Sequence, residues 1–130
     1  MILNICIITP DQVFLNEKVE EVILPTNTGQ MGILSNHAPL ITALDIGVML
    51  IRHQKHWSPI VIMGGFSLVQ NNQVTVLVNE AEAENTINKE EAEQNFLIAK
   101  ANFEKAETPK QKVETNFIYK RARARYQAIQ

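Results

Sequence analysis

The chain has 130 residues, 45% of them hydrophobic and 20% charged, with a formal net charge of −2. That is the composition of an ordinary globular protein with room for one domain, or one domain and a small appendage. The near-neutral charge excludes an overall electrostatic grip on nucleic acid, which needs a strongly basic face, and no apolar run approaches the roughly 18 residues that span a bilayer.

The N-terminus lacks the basic region and small-residue cleavage site of a secretory signal, and also the Arg/Ser-rich look of a transit peptide. The expectation is a chain made where it works, or one given in its mature form. Residues 2–9 form a near-continuous apolar run ending at Pro10, which predicts a strand buried on both faces. Cys6, the single cysteine, cannot form an internal disulfide and reads as a small core residue. Residues 13–24 alternate around Glu17, Lys18, Glu20 and Glu21. Residues 26–40 mix turn residues with polar and apolar groups, either as a plain inter-strand connection or as a contact loop.

Residues 46–52 and 57–63 flank His53-Gln-Lys-His56, a plausible four-residue hairpin loop, with Pro59 suggesting an edge or the start of a strand. Gly64-Gly65 marks a bend or a close backbone approach. Residues 66–70 and 73–79 flank Asn71-Asn72, and asparagine tolerates the positive φ of a two-residue hairpin turn. Val74, Val76 and Val78 then share one face. Many short strands with frequent turns indicate an antiparallel sandwich or barrel.

The composition changes near residue 85. All five glycines and nine of ten valines precede it, whereas Ala, Glu, Lys, Gln and Arg dominate after it, a shift from strand formers to helix formers. Residues 1–85 carry a net −5 and residues 86–130 a net +3. The reading is a β-sandwich over 1–85 and two helices over 86–130. Asn88 with Glu91 resembles a capping box, and Ala92, Phe96, Ala99, Phe103 and Ala106 make one helical stripe. Thr108-Pro109-Lys110-Gln111 restarts the pattern with a cap, a proline at the first helical position and glutamine three residues after the cap. Ile118, Ala122, Tyr126 and Ile129 are expected to share a face of the second helix. The short connection predicts an antiparallel hairpin. Its alanine-rich stripes gain little on burial, so it has to lean on the β domain or on a partner, and it is a candidate switch.

No catalytic constellation is visible. His53 and His56 fall in a turn-like segment without a third metal ligand at useful spacing. Gly64-Gly65 lacks the phosphate-loop pattern. The acid clusters read as solvated faces, and nothing assembles nucleophile, base and orienter. The reading is a non-enzyme with no metal and no cofactor. Lys120, Arg121, Arg123 and Arg125 spread around their helix at 100° per residue. They read either as a solvated helix end whose cations complement the macrodipole or as a dock for an acidic partner.

Leu3-Asn-Ile-Cys-Ile-Ile-Thr-Pro, Glu20-Glu-Val-Ile-Leu-Pro-Thr, Gly29-Gln-Met-Gly-Ile-Leu-Ser-Asn-His-Ala-Pro-Leu, Ile46-Gly, Met63-Gly-Gly-Phe and Val74-Thr-Val-Leu-Val follow one another in this order. The order resembles the epsilon subunit family of F-type ATP synthases, over the whole chain and the Arg-rich second helix. The resemblance is strongest to plastid versions, with cyanobacterial ones as the alternative.

It implies an N-terminal antiparallel β-sandwich followed by a C-terminal antiparallel helical hairpin, in a non-catalytic rotor part of the central stalk. In such a part the sandwich binds the gamma subunit and touches the c-ring. Gly29, Gln30, Met31 and Gly32 match the ring-side loop, with Gln30 and Met31 at its tip, and His37 matches a conspicuous histidine in the next turn. The resemblance also implies a hairpin that can rise along gamma and hinder ATP hydrolysis. Arg121, Arg123 and Arg125 then face an acidic segment of a catalytic beta subunit, with alpha as a further neighbour. The implied location is the stromal side of the chloroplast thylakoid membrane, peripheral and held through other subunits.

One departure counts. Some bacterial members bind ATP through I/L-D-x-x-R-A, and here Ile87-Asn-Lys-Glu-Glu-Ala92 replaces the acid by Asn88 and the arginine by Glu91. Losing that cation removes a phosphate partner and adds repulsion, so no ATP sensing is expected. The main rival reading is a sandwich whose basic tail grips anionic lipid or nucleic acid, which strong polyanion binding near physiological salt would favour. A weaker rival is a metal-dependent enzyme using His37, His53 and His56.

Overall fold

The computed structural model describes residues 2–130. Eight strands, β1 (Leu3–Ile8), β2 (Val13–Val19), β3 (Glu21–Thr26), β4 (Gly29–Leu34), β5 (Leu40–His53), β6 (His56–Gln70), β7 (Gln73–Val78) and β8 (Ala81–Ala83), precede α1 (Lys89–Lys105) and α2 (Pro109–Ala128). The strands hydrogen-bond in the order β2-β1-β7-β6-β5-β3-β4, with β8 added beside β6. All neighbours are antiparallel except β1 and β7, which run parallel from Asn4↔Gln73 to Ile8↔Leu77.

β5 and β6 are far longer than the predicted segments, at 14 and 15 residues, and together they serve both layers of the sandwich. Ile60 and Ile62 of β6 point into the core, and beyond Gly64-Gly65 the inward residues are Ser67 and Val69. The side-chain alternation therefore changes parity at the glycine pair. The same change occurs opposite, where Leu44 is buried on one side of Asp45 and Met49 and Ile51 on the other. Pairing continues across the bend, from Leu44↔Gly65 to Ile46↔Met63. Both glycines have positive φ, and a Cβ on Gly65 would collide with the Leu77 carbonyl oxygen, so this position requires glycine. The close approach read from the sequence is present, but it bends one continuous strand instead of separating two.

The core lies between the layers and draws Leu3, Ile5 and Ile7 from β1, Val22 and Leu24 from β3, and Val74, Val76 and Val78 from β7. β1 is therefore not buried on both faces: only its odd residues enter the core. Cys6 is not a core residue; it is half-buried on the opposite face, beside Thr75 and Asn16.

The alternating stretch 13–24 divides at Glu20, between the end of β2 and the start of β3 on the other side of the sheet. The predicted loop at 53–56 is also shorter than expected. His53 pairs with His56, leaving only Gln54 and Lys55 in the turn, both with positive φ. A long-range bond holds that unfavourable conformation: the Gln54 N–H donates to Glu20 Oε1 at 2.6 Å. Asn71 and Asn72 form the expected two-residue turn, with φ of 51° and 60°.

The helices start where their caps say. The Asn88 side chain accepts from the Glu91 N–H, and Thr108 with Gln111 forms the full reciprocal capping box. The α1 stripe of Ala92, Phe96, Ala99, Phe103 and Ala106 faces inward. The α2 stripe is shifted. Ile118 is 57% exposed, and Tyr119 replaces it against α1. Phe103 and Tyr119 stack at 5.2 Å, and Phe96 and Tyr126 at 4.9 Å. These rings, which lie at favourable offset-stacking distances, are the cement of a hairpin whose other contacts are mostly alanine.

Candidate functional site

The two layers present two outer faces. On the second layer, Val61 and Met63 of β6 lie beneath α2, in a cluster with Ala92, Ala124 and Ala128, and Ile46, Val48 and Ile129 pack at its edge. The hairpin thus leans on the sandwich, as its thin stripes demand. On the first layer, no element among the described residues covers the outer face. The strand register places Ala43, Phe66, Leu77, Ile8 and Val13 in one row across β5, β6, β7, β1 and β2. Four strand spacings make this row about 19 Å long. Beside it, Ile41 pairs with Leu68. Ile41 is 73% exposed and Phe66 60%. Contiguous bare apolar surface of this kind marks an interaction site. Sequence reading missed it because its residues lie on five strands; the visible signal was a large apolar residue at outward positions of β6 and β7.

The basic end of α2 is engaged. Arg125 Nε donates to Glu82 Oε2 at 3.2 Å. Arg121, one turn earlier, lies 3.6 Å from Glu80 and 4.0 Å from Glu82. Lys120 bridges to Asp45 at 3.2 Å on the other side. Arg123 sits over the Tyr119 ring at 5.2 Å. The four bases spread around the helix as expected, with Arg121 and Arg125 on one side and Lys120 and Arg123 facing the hollow beside Gly29 and Gln30.

A polar hollow of about 600 Å³ opens between the β1–β2 turn, the β7–β8 connection and the helices. Asp11, Glu80, Glu82 and Glu91 line it against Arg121 and Arg125. Four carboxylates facing two guanidiniums disfavour an anionic ligand. Asn88 is spent on capping α1, and Glu91 places a carboxylate in this wall. Among the described residues, no group of three His, Cys, Asp or Glu is placed to hold a metal ion, and no helix is long and apolar enough to cross a membrane.

Gly29, Gln30, Met31 and Gly32 are not a loop. They form β4, and the tip of the β3–β4 hairpin is Asn27-Thr28. Thr26 Oγ1 closes the turn by donating to the Gly29 carbonyl at 2.9 Å. Gln30 is exposed near the tip, whereas Met31 packs against the core. His37 lies beyond the far end of β4, with its N–H donating to the Leu34 carbonyl at 3.2 Å and Nδ1 placed 2.7 Å from the Ala38 carbonyl. The five steps of β4 put Leu34, to which His37 is bonded, about 17 Å from Gly29. The structure therefore does not gather these five residues into one site.

A family model described as the beta-sandwich domain of the ATP synthase delta/epsilon chain matches residues 2–84. ATP synthase epsilon chains named as chloroplastic are similar over nearly the whole length. That of Oltmannsiellopsis viridis is 65% identical over 99% of this chain and 98% of its own. That of Tupiella akineta is 66% identical over 99% of both. The chain also shares the fold of one in the Euglena gracilis mitochondrial ATP synthase (OSCP/F1/c-ring), with a TM-score of 0.83 at 21% identity over 95% of this chain and 78% of that one. A chain of the Tetrahymena thermophila mitochondrial ATP synthase central stalk and c-ring matches with a TM-score of 0.69 at 17% identity, over 98% of this chain and 96% of that one.

Proposed function

The chain belongs to the ATP synthase delta/epsilon family, as a non-catalytic epsilon chain of the chloroplastic type, and from that premise we propose that it couples rotation of the c-ring to the gamma subunit and restrains ATP hydrolysis through its helices. It works peripherally on the stromal side of the thylakoid membrane. Residues 1–85 are the coupling unit and residues 86–130 the regulatory one.

The observation that carries the coupling role is the bare apolar row through Phe66 and Leu77. A rotor part transmits torque only through a contact that does not slip, and a broad apolar row on a sheet face suits that demand. The face is assigned to gamma. The exposed β3–β4 hairpin, with Gln30 near its tip, is assigned to the c-ring, and Arg121, Arg123 and Arg125 to an acidic segment of a catalytic beta subunit. The carboxylates around the polar hollow support the absence of ATP sensing.

Co-purification with gamma tests the reading. The native chain retains gamma through a column, and Phe66→Asp, which buries a charge in the contact, lowers the affinity by about 30-fold or more, the size of an interface hot spot. Because Phe66 is exposed, the variant keeps its fold. Undiminished retention of gamma would remove this face from the assignment.

A further inference from the structure

The proposed brake sends Arg121 and Arg125 to carboxylates on a beta subunit, yet both arginines already face carboxylates at home. The Arg125 and Glu82 side chains are only 20% and 22% exposed at a separation of 3.2 Å, so water screens this pair less than an open surface pair. Arg121 reaches both Glu80 and Glu82. The spacing fits: Glu80 and Glu82 are alternate residues of an extended segment, about 7 Å apart, and Arg121 and Arg125 are one helical turn apart, about 6 Å. An acidic partner segment needs the same match. The apolar part of the α2 seat is small, with Ala124 and Ala128 set against Val61 and Met63, so charge carries an unusual share of it.

We propose that Glu80 and Glu82 form an internal counter-surface that competes with the acidic partner segment for Arg121 and Arg125. The sandwich thereby holds the brake off, and Asp45, through Lys120, is a second catch on the other side of the helix. This inference rests on the beta-subunit reading above. It adds that the sensitivity of the brake is set by carboxylates on the opposite unit, which never meet the partner.

The test separates the two ideas. Ala124 is buried in the seat, so a cysteine there, in a Cys6→Ser chain, reacts with a neutral thiol reagent only when α2 lifts. Glu82→Gln is expected to raise that rate about three- to tenfold, the size of one partly shielded charged pair. Added back to an ATP synthase lacking this subunit, the Glu82→Gln chain with its natural Cys6 and Ala124 reaches half-inhibition of ATP hydrolysis at a concentration lower by a similar factor. Asp45→Asn, which leaves every arginine partner intact, moves both readouts the same way by about twofold. Circular dichroism checks the fold of each variant.

If neither labelling nor inhibition changes in either variant, the counter-surface is refuted. If labelling rises and inhibition does not, α2 is held by these carboxylates but competition is refuted. An Arg121→Ala, Arg125→Ala chain that inhibits as well as the native one places that second failure in the beta-subunit reading, whereas weakened inhibition by the same chain places it in the competition.

Discussion

β6 passes from one outer face of the sandwich to the other within a few residues, and its fate differs on the two. Val61 and Met63 lie sealed under α2; Phe66 and Leu68, past the glycine pair, lie bare. The chemistry of the four residues is alike, so hydrophobicity alone does not say which apolar face belongs to the fold and which to a partner. What separates them is cover. The sealed face adds to the stability of the chain, and the bare face leaves burial energy to be gained on association.

The contrast depends first on the bend. Gly65→Ala sets a Cβ against the Leu77 carbonyl at a positive φ of 149°, and urea denaturation should show a loss of about 3–5 kcal/mol. Removing the cover is the next largest change. A chain ending at Glu84 should still unfold cooperatively, about 2–4 kcal/mol less stable, somewhat under the cost of fully exposing two large apolar side chains, and should bind more of an apolar dye than the full chain, whose other face is already bare. An unfolded fragment would mean that the sandwich is no independent unit.

The faces can then be compared directly. Met63→Ala should cost about 2 kcal/mol, whereas Phe66→Ala should stay within about 0.5 kcal/mol in the isolated chain; equal losses would abolish the distinction. The smallest effect lies between the layers. Ser67 Oγ is buried without a partner, so Ser67→Ala should be neutral or stabilising by up to about 1 kcal/mol, with a melting temperature unchanged or slightly raised.

Locally determined features were legible in the sequence. Asn71-Asn72 announces its turn, Thr108-Pro109-Lys110-Gln111 announces its helix, and the valines of β7 announce their face, because each depends on bonds within a few residues. What was not legible depends on distant ones. Gln54 and Lys55 are poor residues for a turn with positive φ, and the bond to Glu20 lies 34 residues away. The residues of β4 look like a loop because glycines at 29 and 32 flank Gln30 and Met31, and only pairing with β3 makes them a strand. Tyr119 was passed over for Ile118, since the helical period fixes a stripe's angle only to within a neighbouring position. The sequence marked the arginines of α2 as a solvated helix end or a dock for an acidic partner. Their present partners, about 40 residues away in sequence, were not.

The parallel pairing of β1 with β7 has a consequence in time. β1 needs β7 as its inner neighbour, and Asn4 meets Gln73 across 69 positions. Such distant closure is slow, because a long loop must be ordered before the contact rewards it. During synthesis the first strand waits, edge open, until residue 78 has been added. At 5–20 residues per second, about 3–10 seconds then pass before residue 130 is reached. The sandwich can close in that interval, so its bare face is available to a partner before the helices exist to settle on the other side. Birth order thus leaves one face of the sandwich open before the other can be covered.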